Sequence, residues 1–231
     1  MFISPVRRLG RTGTGLGDCS VIVSVNSVLD CGRWDGGHTM TEIVLTIDRL
    51  SIASARTSTP VLDNVSMSIA RGTIVGVIGE SGAGKTTLGL ALLGALRTGM
   101  SRRDGRVTLS DTEILGPAAR DPRILHGTRI AYVAQSAAAA FTPTQRLIEQ
   151  VIETAVVRRV LDRDAAHRRA IELFALLGLP DPARFGERYP NQASGGQLQR
   201  AMVAMALCAS PDIVVFDEPT AALDAATRDQ V

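Results

Sequence analysis

The sequence contains few cysteines, no long apolar runs and only one lysine. Each of these features argues against particular classes of protein or points to particular residues. The three cysteines are odd in number and form no CxxC pair. They indicate neither a disulfide framework nor a zinc site, and a reducing compartment fits them best. No window approaches 18 uninterrupted apolar residues, the length that suggests a membrane-spanning helix. We therefore expect any membrane association to come through a partner.

Neither sign of charge is in excess. The 231 residues include 25 basic and 23 acidic side chains, which gives a formal net charge of +2 at pH 7. The arginines are scattered rather than gathered in one tract, so nucleic acid is not an expected partner. All but one of the basic residues are arginine, and the single lysine is Lys85. Because a compact ammonium can do what a planar guanidinium cannot, the surroundings of Lys85 are informative.

Residues 1–39 differ in composition from the rest of the chain. They are rich in Gly, Ser and Thr, and their one apolar run, Val21–Val25, is too short for the core of a signal peptide. We expect a poorly ordered N-terminal extension, with Met40 as the natural first residue, in preference to a functional extension. Residues 40–231 then form one domain.

From Ile43 onward the hydrophobic pattern alternates between strands and helices. Alternating apolar residues in Ile43–Asp48 and Val61–Ala70 predict paired strands. Three short apolar runs predict buried strands of a parallel sheet: Thr73–Ile78, Arg129–Ala134 and Ile213–Phe216. Helices are predicted at Lys85–Arg97, Leu147–Val160, Asp164–Leu177 and Gln197–Ala209. The pattern predicts an α/β core with an N-terminal antiparallel β subdomain and an inserted helical subdomain at about residues 140–205.

One loop carries the strongest chemical signal. Residues 79–87 fit G-x-x-x-x-G-K-[ST], with a strand predicted before them and a helix after them. They are Gly79, Glu80, Ser81, Gly82, Ala83, Gly84, Lys85, Thr86 and Thr87. Glycines let successive backbone N–H groups point at phosphate oxygens, and the helix start adds its positive end. Lys85 would reach the β- and γ-phosphates, and the Thr86 hydroxyl would ligate Mg²⁺. The alternative is a plain Gly-rich turn before a helix, but the context favours a P-loop NTPase core.

A second element ends in two carboxylates. The apolar run Ile213–Phe216 leads directly into Asp217 and Glu218. A buried strand places Asp217 at the carboxyl edge of the sheet, where it can hold Mg²⁺. Glu218 can orient or deprotonate the attacking water. Such a pair could also cap the next turn, but its position after a phosphate loop favours the catalytic interpretation.

A third element, Ser194-Gly195-Gly196-Gln197, stands at the start of an apolar helix. Exposed N–H groups, a hydroxyl and a helix N-terminus make a second anion-binding arrangement, and an ordinary N-cap with a flexible hinge is the alternative. Two phosphate-binding elements in one ATPase are explained by a head-to-tail dimer. In such a dimer the phosphate loop of one subunit faces the Ser-Gly-Gly of its partner.

In this order the elements resemble the nucleotide-binding domain of ABC transporters, from roughly Glu42 to the end of the chain. Residues 79–87 match Walker A, Gln135 the Q-loop, Ser194–Gln197 the signature motif, Ile213–Glu218 Walker B and Ala222-Leu223-Asp224 the D-loop. Within the family, two further matches resemble the ATPases of peptide and nickel importers. They are Phe141-Thr142-Pro143 after Gln135, and Tyr189-Pro190 ahead of the signature.

The resemblance implies a role for each matching residue. Lys85 and the loop amides bind the phosphates of ATP. The residues that arrange Mg²⁺ are Thr86, Gln135 and Asp217, and the catalytic residues are Glu218, as the base, and Gln135. The residues that contact nucleotide bound by the partner subunit are Ser194, Gly195, Gly196 and Gln197. Asp224 of the D-loop completes the nucleotide-binding set.

The resemblance also implies a function and partners. The chain would be the ATP-binding subunit of an importer, coupling ATP binding and hydrolysis to uptake of peptides, nickel or a related small solute. Its partners would be a second ABC ATPase subunit, transmembrane permease subunits and, indirectly, a solute-binding protein. It would lie at the cytoplasmic face of the cell membrane, with Gln135 and the helical subdomain near Thr142 sensing the membrane subunits.

Two departures from the family pattern bear on activity. The stretch Leu50–Arg56 holds no aromatic residue to stack on adenine, and Arg56 could stack there instead. The histidine that the family carries after the D-loop is not among the residues up to Val231. If this is the whole product, we expect impaired hydrolysis and poor stability of the chain alone. The alternatives to an importer subunit are a truncated, non-hydrolysing ABC remnant and a soluble ABC ATPase without membrane partners.

Overall fold

The computed structural model describes residues 2–6, 21–25, 42–80 and 82–217, with side chains described from Glu42 onward. The chain divides after His126 into two compact units, residues 1–126 and 127–231. Within the described ranges no helix is long and apolar enough to cross a membrane.

The described residues of the first unit form mainly strands, together with one α-helix. In chain order its elements are β1 (Phe2–Val6), β2 (Val21–Val25), β3 (Ile43–Ser54), β4 (Pro60–Ala70), β5 (Ile74–Ile78), α1 (Lys85–Leu92), β6 (Met100–Leu109), β7 (Thr112–Leu115) and a 3₁₀ turn (Pro122–Ile124).

Four of these strands form an antiparallel sheet in the order β4-β3-β6-β7. Leu45 on β3 is paired with Ile69 on β4 and Leu109 on β6, and all three side chains are fully buried. Apolar residues that alternate along paired strands bury one face together, because successive side chains point to opposite faces. The predicted antiparallel β subdomain is therefore confirmed.

Strand β5 precedes the predicted phosphate loop and pairs with a strand on each side. Val75 and Val77 of β5 are buried, as expected for a core strand. The expectation that this strand has parallel neighbours is wrong, because β1 and β2 both run antiparallel to it. Both partner strands come from residues 1–39, the segment predicted to be a poorly ordered extension. The remainder of that segment lies outside the described residues, and its boundary at residue 39 stays a prediction.

Helix α1 follows the loop but ends earlier than the sequence pattern indicated. It was expected to reach Arg97, and it stops at Leu92, where the Leu93 N–H bonds back to the Leu90 carbonyl. Gly94 follows with φ 69°, and a Cβ there would lie 2.5 Å from the Ile114 carbonyl oxygen. Helices commonly end at a glycine with a left-handed backbone conformation. The close approach of the Ile114 carbonyl to Gly94 leaves no room for a side chain at this position.

The second unit combines a parallel strand pair with a helical subdomain. Its elements are β8 (Ile130–Val133), α2 (Leu147–Val157), α3 (Arg163–Leu176), α4 (Pro182–Phe185), a 3₁₀ turn (Pro190–Gln192), α5 (Gly195–Leu207) and β9 (Ile213–Asp217). Strands β8 and β9 are parallel neighbours, as predicted, and Ile213, Val214 and Val215 are buried.

Helices α2 to α5 pack around a shared apolar core. Phe174 of α3 and Phe185 of α4 are fully buried and meet edge to face with 5.2 Å between ring centroids. Such a pair contributes beyond the area it buries. Asp162 caps α3, accepting from the Ala165 N–H at 2.8 Å, and so starts that helix one residue before the predicted Asp164.

Candidate functional site

The predicted phosphate loop lies between β5 and α1, and its backbone is folded against β4. Gly84 is the N-cap of α1 and has φ 89°. A Cβ at Gly84 would lie 2.9 Å from both the Val61 carbonyl oxygen and Leu62 Cδ2. Residues with a Cβ rarely adopt this φ, and a contact this short leaves a Cβ no room, so the position requires glycine. Ser81, within the same loop, lies outside the described residues.

Lys85 holds its ammonium over the loop. Nζ donates to the carbonyl oxygen of Gly79 at 2.7 Å and to that of Glu80 at 2.6 Å, while the residue is only 8% exposed. A buried charge is costly unless it is hydrogen-bonded, so these carbonyls keep the ammonium in place. The loop therefore carries a fixed positive charge beside the backbone predicted to bind phosphate.

The start of α1 adds a second source of positive potential. The Leu88 N–H donates to the Gly84 carbonyl at 2.8 Å, and the first turn contains no acidic residue. N–H groups of a first turn have no carbonyl partner within the helix and carry the positive end of its dipole. Thr86 and Thr87, half-buried and buried, bring two hydroxyls to the same turn. This end of α1 suits a multiply charged anion such as a triphosphate.

In the second unit, two predicted site residues lie at the carboxyl ends of neighbouring parallel strands. Asp217 is the last residue of β9, and Gln135 stands two residues after the end of β8. Carboxyl ends of parallel strands meet at one edge of a sheet, which is where ligands bind in open α/β folds. The Tyr132 hydroxyl of β8 donates to Asp217 Oδ2 at 2.8 Å and so orients the carboxylate. Glu218 lies outside the described residues.

Ser194 is the N-cap of α5 and pairs reciprocally with Gln197. The Gln197 N–H donates to Ser194 Oγ at 3.3 Å, and Gln197 Oε1 accepts from the Ser194 N–H at 3.0 Å. This is a capping box, which ties the start of the helix to the residue before it. A Cβ at Gly195 or Gly196 would meet no atom within 4 Å, so the backbone of this turn faces open space.

The predicted site residues are thus distributed over both units. The phosphate loop belongs to the first unit, whereas Gln135, Asp217 and Ser194–Gln197 belong to the second. Asp224 of the D-loop, like Ser81 and Glu218, is outside the described residues, and all the assigned roles remain predictions.

Two residues that support the predicted site, Tyr132 and Gln150, were not identified from the sequence. Tyr132 gave no signal, because its contact with Asp217 depends on strand register. Gln150 is 5% exposed on α2, accepts from the Thr142 N–H at 2.7 Å, and donates to the carbonyls of Thr142 and Gln145 at 3.1 and 3.0 Å. A polar residue on the apolar face of a predicted helix was the available signal. Gln150 fixes the loop that follows the Q-loop region.

Each unit offers an oxygen donor of the kind that a nucleotide-bound Mg²⁺ takes. Across residues 42–80 and 82–217 no three His, Cys, Asp or Glu side chains are grouped to hold a metal ion. Nucleotide-bound Mg²⁺ needs no such group, because it keeps several waters and takes one or two protein oxygens together with phosphate oxygens. The Thr86 hydroxyl and the Asp217 carboxylate are each oxygen donors of the kind that Mg²⁺ accepts.

Comparison with known proteins places these features in a family. The family model described as "ABC transporter" matches residues 62–221. The oligopeptide transport ATP-binding protein OppD of Lactococcus lactis subsp. cremoris is 30% identical over 168 residues, covering 73% of this chain and 50% of the relative. The probable D,D-dipeptide transport ATP-binding protein DdpD of Escherichia coli is 34% identical over 195 residues, covering 83% and 60%. The metal-staphylopine import system ATP-binding protein CntD of Staphylococcus aureus is 34% identical over 187 residues, covering 80% and 68%.

The chain therefore spans about half to two thirds of the length of these relatives. A solved structure with a similar fold is the ATP-binding cassette MJ0796, described as a dimeric post-hydrolysis state bound to ADP and Pi. It superimposes with a TM-score of 0.61 at 22% identity, covering 80% of this chain and 78% of the cassette. This likeness agrees with the predicted P-loop NTPase fold.

Proposed function

The chain belongs to the ABC transporter family, and from that premise we propose that it is the ATP-binding subunit of an importer. It would couple ATP binding and hydrolysis to uptake of peptides, nickel or a related small solute. Relatives named for oligopeptide transport, D,D-dipeptide transport and metal-staphylopine import support this range of solutes. The chain spans only part of the length of those relatives, so its role in a whole importer is part of this proposal.

The observation that carries the proposal is the phosphate loop. Lys85 is buried with its ammonium bound to the carbonyls of Gly79 and Glu80, and Gly84 has no room for a side chain. A structural turn would need neither a buried charge nor a helix start free of acidic residues. On binding ATP, Lys85 would exchange carbonyl contacts for phosphate oxygens, and the N–H groups of the first turn would bind the remaining negative charge.

Further residues would serve hydrolysis. Thr86, Gln135 and Asp217 would hold Mg²⁺, with Tyr132 keeping the Asp217 carboxylate oriented. Bound Mg²⁺ neutralises charge on the phosphate oxygens. Glu218 would accept the proton of the attacking water.

A second subunit would complete the site. The turn at Gly195 and Gly196 has open space on its surface, so a phosphate from another subunit can approach its N–H groups. Ser194 would exchange its hydrogen bonds with Gln197 for contacts with that phosphate. The similar cassette MJ0796 is described as dimeric, which supports this arrangement.

The helical subdomain offers a surface for a permease subunit. A groove of about 410 Å³ runs along α2, lined in part by Ile152, Val156, Val157 and Tyr189. Val157 is 70% exposed, and the paired Arg163 and Glu149 lie at the same groove. Apolar exposure rimmed by charge marks protein contact sites. Gln150 anchors the loop beside it and would transmit movement of that loop to α2.

Capture of permease subunits tests the importer proposal. The tagged chain is incubated with detergent-solubilised membranes of its source cell, and bound proteins are identified by mass spectrometry. Permease subunits are expected with the unchanged chain and not with Val157→Asp. Leu176→Asp is the matched control, because Leu176 is 58% exposed on α3 and is not among the residues that line the groove. Capture of ribosomal or DNA-bound proteins in place of permeases would support a soluble ABC ATPase and contradict the proposal.

A further inference from the structure

A guanidinium is held at the turn that joins β3 to β4. The turn is closed by the Ser54 N–H, which donates to the Thr59 carbonyl at 2.9 Å, and by the Ser58 N–H, which donates to the Ser54 carbonyl at 2.9 Å. Arg103 of β6 reaches it: one terminal nitrogen donates to Ser58 Oγ at 2.9 Å and to the Ser54 carbonyl at 3.4 Å. The charged plane of Arg103 is therefore fixed against this turn while the residue remains exposed to solvent.

A β-bulge directs Arg103 there. Ser51 pairs with Asp104, but the next residue, Ile52, pairs with Arg102, so Arg103 is the extra residue on β6. An extra residue in one strand turns its side chain away from the regular alternation. The bulge thus sets the direction in which the Arg103 side chain leaves the strand, and the hydrogen bonds to Ser54 and Ser58 hold its guanidinium at the turn.

The strand that follows this turn, β4, passes beside the phosphate loop. Pro60 begins β4, and its neighbour Val61 places its carbonyl oxygen, together with Leu62 Cδ2, where a Cβ on Gly84 would have to be. A nucleotide whose phosphates occupy the loop from Gly79 to Thr87 can place its base on a neighbouring surface of the chain. The β3–β4 turn ends next to the β4 residues that approach Gly84, and it is open to solvent.

The turn has no aromatic side chain on which a purine could stack. Between Leu50 and Pro60 there is no aromatic residue. The guanidinium of arginine is planar, is weakly hydrated compared with an ammonium, and stacks on aromatic faces. Arg103 is therefore the described side chain at this turn that combines a planar face with a fixed position.

We propose that Arg103 is the nucleobase-contacting residue of this chain, its guanidinium stacking on the purine of the bound nucleotide. The inference rests on the proposed binding of ATP at residues 79–87. It also replaces Arg56, the exposed turn residue proposed from the sequence, with a side chain whose position the sheet determines.

The test separates base from phosphate by comparing two ligands. Isothermal titration measures the affinity of the intact chain for Mg-ATP and for Mg-tripolyphosphate, which carries the phosphates and no base. Arg103→Ala is expected to weaken ATP binding about two- to fivefold and leave tripolyphosphate binding unchanged. Arg103→Lys is expected to show a similar loss, since a stacked arginine is not replaced by lysine. Arg106→Ala, an exposed residue of the same strand paired with Asp48, is the matched control.

Each outcome decides the proposal. If Arg103→Ala weakens the binding of ATP and of tripolyphosphate equally, Arg103 contacts phosphate and not the base. If Arg103→Lys binds ATP with full affinity, the positive charge of Arg103 matters and its planar shape does not. Loss in Arg56→Ala with none in Arg103→Ala would assign the base to Arg56. Any of these overturns the inference while leaving nucleotide binding intact. If the unchanged chain is folded by its circular dichroism and binds neither ligand, the proposed function itself fails.

Discussion

The Tyr132 hydroxyl donates to Asp217 Oδ2 at 2.8 Å, joining the predicted Mg²⁺ ligand to the neighbouring parallel strand. Tyr132→Phe removes this bond and with it one contact that orients the carboxylate. We expect the Mg²⁺ concentration needed for half-maximal ATP hydrolysis to rise several-fold, and the unfolding free energy to fall by about 1 kcal/mol. Hydrolysis is measured as a function of Mg²⁺ at saturating ATP.

The other tyrosine of the chain supplies the control for this prediction. Tyr189→Phe removes the same hydroxyl from the helical subdomain. It should leave the Mg²⁺ dependence unchanged. Equal Mg²⁺ curves for Tyr132→Phe and the unchanged chain would show that the bond does not position Asp217.

Gly84 and Gly82 share a backbone conformation but differ in the space around them. Both have positive φ, yet a Cβ at Gly84 would meet Val61 and Leu62 at 2.9 Å, whereas one at Gly82 would meet nothing within 4 Å. Gly82→Ala should cost about 1 kcal/mol of unfolding free energy, the cost of a left-handed alanine. Gly84→Ala should cost distinctly more and weaken ATP binding. Chemical denaturation of both variants measures the difference, and equal costs would contradict the close approach of β4 to the loop.

Two buried glutamines provide a second matched pair. Gln150 makes three hydrogen bonds to the loop at Thr142 and Gln145, whereas Gln199 Oε1 is buried and, among the described residues, has no hydrogen-bond partner. Gln150→Leu should lower the unfolding free energy by about 2–3 kcal/mol, because the backbone groups that it satisfies lose their partner. Gln199→Leu should be near neutral. Urea denaturation tests both, and a larger cost at Gln199 would contradict the assignment.

The thiol of Cys208 supplies a pH-dependent prediction. Burial raises the pKa of Cys208 to about 11, from an ordinary value of 9.0. In the unfolded chain the thiol ionises at lower pH, so its contribution to folding is complete below about pH 9 and is lost as pH rises toward 11. In a chain carrying Cys19→Ser and Cys31→Ser, Cys208 should react slowly with a thiol reagent at pH 8. Denaturant should make the reaction fast. Fast reaction of the native protein would show that the thiol is accessible.

The strand before the loop at Lys85 and the helix after it were predictable because every feature of this segment is local. Strand, glycines, lysine and helix follow one another along the chain, and the geometry of Gly84 is already indicated by its residue type. The antiparallel subdomain was also predictable, since alternation in Ile43–Asp48 and Val61–Ala70 marks a half-buried sheet.

Contacts that depend on register were not predictable. Tyr132 and Asp217 are hydrogen-bonded although they are 85 residues apart in the sequence. Arg103 contacts Ser58 because of a β-bulge that no local sequence pattern indicates. The early end of α1 at Leu92 was signalled by Gly94, but the neighbouring leucine and alanine content outweighed it in the pattern. Local rules thus identify the elements, whereas packing determines which side chains meet.

Titration of the intact chain with Mg-ATP shows whether ATP binds at the loop held by Lys85. We expect saturable binding that falls at least tenfold in Lys85→Ala and is not restored in Lys85→Arg, because a planar guanidinium cannot replace the compact ammonium. Arg71→Ala, which removes an exposed cation paired with Glu42, should bind like the unchanged chain. Undiminished binding by folded Lys85→Ala, or no binding by the folded unchanged chain, would show that this loop is not an ATP site.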